Sequence, residues 1–262
     1  PNIFFDTFVL MNGIKRLLFS LLSEKRYLRL LHRGFYMMLD LGLLKGNYKF
    51  KFHYKIYSLI KKDDVILDIG ANLGYFSKSF SRLAPEGKVI CVEPLPQYFD
   101  VLTYFLGQKK NTKIHNVALG KDAGSVTMVL PMQNGMIRTG LPHISTSKTK
   151  STERTQEVQL VNPLSLIENV NKLDYIKCDV EGYEWVIFQE LKPAIEKHLP
   201  IIQIEIDEKN REKLLTFFLA LGYVQYGISK FKLKQESGAQ EEAGDYLFVH
   251  GSKESSFKVQ IK

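Results

Sequence analysis

The chain of 262 residues has only two cysteines, Cys91 and Cys178. Both lie inside apolar runs that read as buried strands. There is therefore no disulfide framework and no zinc-type spacing, and two buried thiols suit a reducing compartment. Long hydrophobic runs are also missing, since charges interrupt every apolar stretch well before the ~18 residues of a membrane span. Asp6 breaks the run FFDTFVLM and no small-residue cleavage site follows, so no secretory leader is read and the expected location is the cytoplasm. No internal repeat is visible, and no nucleic-acid recognition motif accompanies the basic charge. What is present, 45% hydrophobic and 24% charged residues, is the composition of a folded chain with a sizeable core.

The formal net charge of +8 is unevenly spread. Residues 1–62 hold twelve Lys/Arg against three acids, and the remainder holds 24 basic and 25 acidic residues. Ile14, Leu17, Leu18, Leu21, Leu22, Leu28 and Leu31 recur at helical spacing, with Lys15, Arg16, Lys25, Arg26 and Arg29 between them. This predicts an amphipathic helix packed on the core, with peripheral contact to an anionic membrane surface as the sharper alternative. Oligomeric state is open at this level.

Helices are expected over 13–31, 35–44 and 51–62, and from Asp64 the pattern changes to strand and helix in alternation. Strands are read at 65–69, 88–93 and 113–118, with helices at 74–84 and 96–107. The rhythm resumes with strand 174–179, helix 183–197, strand 201–206 and helix 208–221, then closing strands at 223–231 and 245–250. Such alternation implies an α/β fold with a mainly parallel sheet covered on both faces. Residues 119–163 break the rhythm: SVTMVLP and EVQLVNP read as two short strands around a polar stretch, 132–157, too long for an ordinary connector. The domain reading is a basic helical extension at 1–50, a catalytic-type domain at 51–251 and a loose tail from Ser252.

The most informative segment is VILDIGANLG, residues 65–74, followed by VICVEPLP at 89–96. An apolar run ends in Asp68, a turn spaced by Gly70, Asn72 and Gly74 follows, and the next apolar run ends in Glu93. Strand, tight turn, helix, second strand and acid is the plan of a nucleotide-type site. The two glycines read as places where a ligand lies against the backbone. A dinucleotide site needs G-x-G-x-x-G, with pyrophosphate on the helix amides. Here an acid opens the turn, which disfavours a pyrophosphate and suits a ligand with a cationic, amino-acid-like end. S-adenosylmethionine has such an end, and its ribose would fall to Glu93.

VILDIGANLGYFS, VICVEPLP, NVALG and YIKCDVEGYE together resemble the signature blocks of FkbM-type methyltransferases, the block D-V-E-G-x-E at 179–184 being the most specific. The resemblance covers roughly residues 46–250. It implies a class I, Rossmann-like doubly wound sheet of seven strands, the last antiparallel, preceded here by the N-terminal helical extension. It also implies S-adenosylmethionine as cofactor and a hydroxyl on a sugar, glycan or small natural product as acceptor. Carried over, Asp68, Gly70, Ala71, Asn72 and Gly74 form the methionine-side turn, with Tyr75 and Phe76 after it. Glu93 and Pro94 take the ribose, Asn116, Val117 and Ala118 lie beside the adenine, and Asp179 and Glu181 face the reactive methyl.

A hydroxyl acceptor is a weak acid, so a base assists its methylation. The candidates are Asp179, Glu181, Glu205 and His143, the last in the polar stretch. Tyr75, Phe76, Tyr183 and Trp185 are available to line a dry pocket. Glu184 reads as a cap of the following helix. Asp179, Glu205 and Asp207 also permit a minor Mg²⁺ reading, although no metal ligand set is assigned. The rival readings are an NAD(P)-dependent oxidoreductase, against which the turn argues, and a scaffold that binds cofactor without turnover.

Overall fold

The computed structural model describes residues 19, 21–130, 132–133, 136–137, 143–144, 154–229, 232–235 and 245–260. Helix α1 (Glu24–Asp40) is followed by a 3-10 turn at Tyr48–Phe50 and a short helix α2 (Lys51–Lys55). The alternating part begins with β1 (Val65–Ile69), α3 (Ser77–Leu83), β2 (Lys88–Val92), α4 (Pro96–Leu106) and β3 (Thr112–His115). Then come β4 (Ala118–Leu119), β5 (Gly124–Leu130), β6 (Met132–Gln133), β7 (Met136–Ile137), β8 (His143–Ile144) and β9 (Arg154–Val161). The rest is α5 (Leu164–Ile167), β10 (Tyr175–Cys178), α6 (Glu184–His198), β11 (Ile201–Glu205), α7 (Arg211–Ala220), β12 (Tyr223–Ser229), β13 (Lys232–Gln235), β14 (Asp245–His250) and α8 (Glu254–Gln260).

The main sheet runs β13-β12-β14-β11-β10-β1-β2-β3. Strands β3, β2, β1, β10 and β11 are parallel, and β14 enters antiparallel between β11 and β12. That is the doubly wound, Rossmann-like order with an antiparallel last strand; β13 is an eighth strand added at the edge of β12. Strands such as VILDI and KVICV are apolar on both faces because helices cover both. Ile66, Val89, Cys91 and Tyr175 pack with Phe80 of α3 and Leu102 of α4. Leu67, Ile69, Ile90 and Ile176 pack on the other side with Phe188 of α6 and Phe218 of α7. Strands β5 and β9 form the two long arms of the insertion, in a second sheet ordered β4-β9-β5-β8.

Several local expectations change. The strand read at 113–118 ends at His115, and Ala118–Leu119 pairs in the second sheet. The helix read at 51–62 stops at Lys55 and continues as a 3-10 turn over Ile56–Ser58. The helix read at 13–31 is interrupted at Leu22–Ser23, and its second part joins the piece read at 35–44 in one helix, α1, that runs from Glu24 through Gly34 to Asp40; residues 13–18 and 20 lie outside the described residues. A mid-helix glycine costs about 1 kcal/mol, and burial of Phe35, Tyr36 and Leu39 on the same helix offsets it. The helix read from residue 74 begins only at Ser77, because residues 70–76 form the turn of the site. The tail from Ser252 is helical rather than loose: Phe257 is buried against Tyr226, and the Tyr226 hydroxyl donates to Glu254 at 2.7 Å. A single aromatic, one turn into a short helix, supplies that anchor. The polar stretch 132–157 falls largely outside the described residues.

Candidate active site

Strand β1 lies at the centre of the sheet, between β2 and β10, where the chain's winding reverses direction. Ligands of open α/β sheets bind in the crevice beyond the carboxyl ends of strands at such a point. A cleft lies there, with about 720 Å³ of space including its open mouth. Its lining comes from the ends of β1 and β2 (Ile69, Gly70, Asn72, Val92, Glu93, Pro94), from Tyr98 of α4, and from Val117, Ala118, Leu119 and Met128. Asp179, Val180, Glu181, Tyr183 and Ile187 close the other end.

The glycine turn is held by close packing of backbone on backbone. The Gly70 and Ala71 amides both donate to the Val92 carbonyl at 3.0 Å, and the Asp179 amide donates to the Ile69 carbonyl at 3.1 Å. Gly70 has φ 71°, and a Cβ there would overlap the Asp179 carbonyl oxygen. At Gly74, with φ 87°, a Cβ would press on Leu102 of α4 at 2.9 Å. Both glycines therefore let protein segments approach each other, and of the two only Gly70 lines the cleft.

Glu93 is buried and lines the cleft. One carboxyl oxygen accepts from the Asn72 amide at 2.8 Å and the other from the Leu95 amide at 2.9 Å. Burial pushes its pKa up to about 7 in spite of those two amides. Asn116 does not reach the cleft. Its side-chain amide donates to the Glu93 and Pro94 carbonyls at 2.9 and 2.8 Å, which fixes the turn after β2.

Asp68 points the other way. Alternation along β1 places it on the Ile66 side, away from the cleft wall made by Ile69, and it is fully buried. It accepts from the Ser77 hydroxyl at 2.5 Å and faces the Lys177 ammonium at 3.9 Å. Burial raises its pKa, while Lys177 and Ser77 oppose the rise. Asp68 is thus not among the residues that line the cleft. Ala71, Tyr75 and Phe76 are likewise off the cleft: Ala71 is in the core, the Tyr75 ring packs on Phe35, and Phe76 stacks on His53 at 3.8 Å. Trp185 packs edge-on against Phe217, so of the four aromatics read as lining only Tyr183 lines.

At the far end, the acids gather around one lysine. Lys177, a buried strand residue, donates to Asp179 at 2.9 Å. Burial acts to lower its pKa, but Asp179 and Asp68 more than reverse this and hold the ammonium above its usual value. Glu205, paired in register with Asp245, does not line the cleft. It is exposed as a residue, yet protein around its carboxyl desolvates it, and Asp179, Asp245 and Glu181 repel its charge. Its pKa is pushed up to about 8. Asp245 is raised to about 6 by burial and by Asp179. Glu184 accepts from the Gly182 amide at 2.9 Å and from Asn210 at 2.5 Å, a structural tie at the start of α6.

His143 is placed by its backbone alone, paired with Val129 of β5, and its side chain lies outside the described residues. Asp207 accepts from the Lys209 amide at 3.1 Å and faces the Lys209 ammonium at 3.4 Å. The described residues hold no group of three or more His, Cys, Asp or Glu that could hold a metal ion.

Sequence reasoning missed Lys177 and Tyr98. Lys177 had a signal, since a lone lysine in an apolar strand must find a countercharge. Tyr98 is buried, lines the cleft, and its hydroxyl has no hydrogen-bond partner among the described residues. Also missed was the clasp from α1: His32 Nδ1 donates to the Leu73 carbonyl at 2.7 Å, and the Tyr36 hydroxyl donates to the Tyr75 carbonyl at 2.9 Å. Burial holds His32 neutral, with a pKa lowered to about 4, which suits that donation.

The chain is similar to known proteins. The chain is 26% identical over 152 residues to "Methyltransferase 1" of Beauveria bassiana, covering 49% of this chain and 59% of that protein. It is 33% identical over 86 residues to the 2-O-methyltransferase NoeI of Sinorhizobium fredii, covering 32% of this chain and 35% of that one. The chain thus spans less than two thirds of either relative. A crystal structure of a methyltransferase FkbM from Methylobacillus flagellatus KT aligns with TM-score 0.49 and 14% identity, over 74% of this chain and 48% of that one. The sequence model of the methyltransferase FkbM domain matches residues 68–224, more than half of the chain, and the chain belongs to that family.

Proposed function

We propose that the protein is an S-adenosylmethionine-dependent O-methyltransferase acting on a hydroxyl of a sugar, glycan or small natural product. The observation that carries the reading is the cleft itself, which joins an apolar end closed by Glu93 to an acidic end closed by Asp179 and Glu181. The residues fit the cofactor. Val92, Val117, Ala118 and Met128 offer apolar walls to an adenine, Glu93 has lone pairs left for ribose hydroxyls, and the unpartnered Tyr98 hydroxyl supplies a further polar contact. The relative named as a 2-O-methyltransferase supports oxygen as the acceptor atom.

When bound, the cofactor supplies an electrophilic methyl group on a sulfonium. The chain's own part is to bring the acceptor oxygen into line with it, where holding two reactants in register contributes several kcal/mol (~7–11 at best). Asp179 stands at that end of the cleft and takes the proton from the acceptor hydroxyl. Lys177 holds the Asp179 carboxylate in place from behind. Glu205 and Asp245 sit beyond it as acids that share protons with the cluster, and Tyr183 shields the reacting groups from water.

The test is calorimetric titration of the purified chain with S-adenosylhomocysteine, with NAD as control. The expected result is micromolar binding of S-adenosylhomocysteine and none of NAD. Binding of NAD instead, or of neither, overturns the reading. An acceptor screen beginning with glycans then follows the methyl group.

A further inference from the structure

Helix α1 buries one side and presents another. Its buried side chains, Tyr27, Leu28, His32, Phe35, Tyr36 and Leu39, face the glycine turn and α4. The opposite stripe, at spacings of three and four residues, reads Arg26, Leu30, Arg33, Met37 and Leu41. The aliphatic members are well exposed, with Leu30 at 41%, Met37 at 61% and Leu41 at 67%, and Leu43 follows at 68%. Large apolar side chains gathered on one outer face, interleaved with arginines, differ from the scattered exposed residues of an ordinary surface.

The same face continues onto α3 and α4. Arg33 donates to the Tyr104 hydroxyl at 3.1 Å, the Arg29 guanidinium lies 3.7 Å from the centre of that ring, and the Lys78 ammonium lies 3.9 Å from the centre of the Tyr36 ring. Beyond these contacts a groove is lined by Lys78, Arg82, Lys109 and Lys110 with Ser81 and Asn111. Two acids are paired into this face, Asp40 with Arg82 at 3.1 Å and Asp100 of α4 with Lys25 of α1 at 2.7 Å. Partial burial lowers the pKa of Lys78, and the charges of Arg82 and Lys109 lower it further. Asp40 opposes these two charges at Lys78.

We infer that this face docks on a membrane surface rich in anionic phospholipid, with the α3–α4 groove taking headgroup phosphates and Leu30, Met37, Leu41 and Leu43 entering the acyl boundary. Interleaved cations and aliphatic side chains are the pattern of an interfacial helix. A nucleic acid would draw on the cations and on exposed aromatics, but phosphates give nothing back to four exposed aliphatic residues. Residues 1–62, which include α1, hold the excess positive charge of the chain, and the groove adds Lys78, Arg82, Lys109 and Lys110 from a remainder that is nearly neutral overall. Docking by this face is independent of the methyl-transfer reading, since none of its residues lines the cleft.

The experiment is co-sedimentation of the full chain with vesicles of equal parts phosphatidylglycerol and phosphatidylcholine, against vesicles of phosphatidylcholine alone and against an RNA duplex. The chain is expected to pellet with the anionic vesicles only, and less so as salt rises. Lys109→Ala with Lys110→Ala should weaken that binding about 30-fold, since each basic residue near such a surface is worth ~1 kcal/mol. Met37→Ser with Leu41→Ser should also weaken it while leaving the salt dependence unchanged. All four positions are exposed, so the melting temperature of both variants should match the parent. Equal binding to neutral vesicles, undiminished binding by the lysine variant, or tighter binding to RNA than to vesicles overturns the inference.

Discussion

The two ends of the cleft treat negative charge in opposite ways. At the apolar end a single carboxylate, Glu93, is tied down by two backbone amides and surrounded by Val92, Pro94, Val117 and Ala118. At the other end Asp179, Glu181, Glu205 and Asp245 crowd around one buried ammonium, Lys177. The first arrangement fixes one buried carboxyl by two amides that only partly offset its burial, which suits recognition of a constant group. The second holds more acids than it can comfortably ionise, which suits moving a proton. On the proposed reading, binding and chemistry are separated along one cleft, and each end can be perturbed without the other.

The largest expected effect is on turnover. Asp179→Asn should lower kcat by about 100- to 10,000-fold, the range for loss of a general base, with much less change in cofactor affinity. Full activity of that variant on any accepted substrate removes Asp179 from the mechanism. Next is Lys177→Met, which strands Asp68 in the core beside an uncompensated Asp179. A loss of about 3–5 kcal/mol is expected in denaturant unfolding, and Lys177→Met with Asp68→Asn should recover part of it. An unchanged unfolding midpoint in the single variant would show that the acids do not depend on this lysine.

A smaller effect is the pH dependence of stability. Glu205 has a folded pKa near 8, raised from an ordinary 4.5. Between those values the folded state holds more protons than the unfolded state, so this group makes the protein less stable as pH rises through that window. Above about pH 8 its contribution levels off. Glu205→Gln should flatten the decline in melting temperature between pH 5 and pH 8, and a variant that declines as steeply as the parent would place the coupling elsewhere.

The contrast between legible and illegible features follows from sequence distance and from strand parity. The central strands were readable because a strand buried on both faces is apolar throughout, and the glycine turn because its spacing is local. Glu93, Asn72 and Asp179 are found where the motif spacing put them, at strand ends that line the cleft. Asp68 illustrates the opposite case: its motif position suggested ligand contact, yet one step of alternation turns it to the far side of the sheet. Lys177 lies beside it in register across β1 and β10, a pairing that spans more than a hundred residues. The clasp of His32 and Tyr36 on the glycine turn was hidden for the same reason, since nothing local in α1 announces which carbonyls its polar side chains will meet. Tyr98 carries no local sign of its place in the cleft, where its hydroxyl has no hydrogen-bond partner among the described residues.

The most direct measurement is a pair of calorimetric titrations with S-adenosylhomocysteine, one on Glu93→Ala and one on Asp179→Asn, both checked for parental melting behaviour. Loss of a charge-assisted hydrogen bond worth about 1.5–3 kcal/mol predicts roughly 10- to 100-fold weaker binding by Glu93→Ala, and near-parental binding by Asp179→Asn. Equal affinity in the two variants, whether both retained or both lost, would contradict the division of the cleft into a binding end and a chemical end.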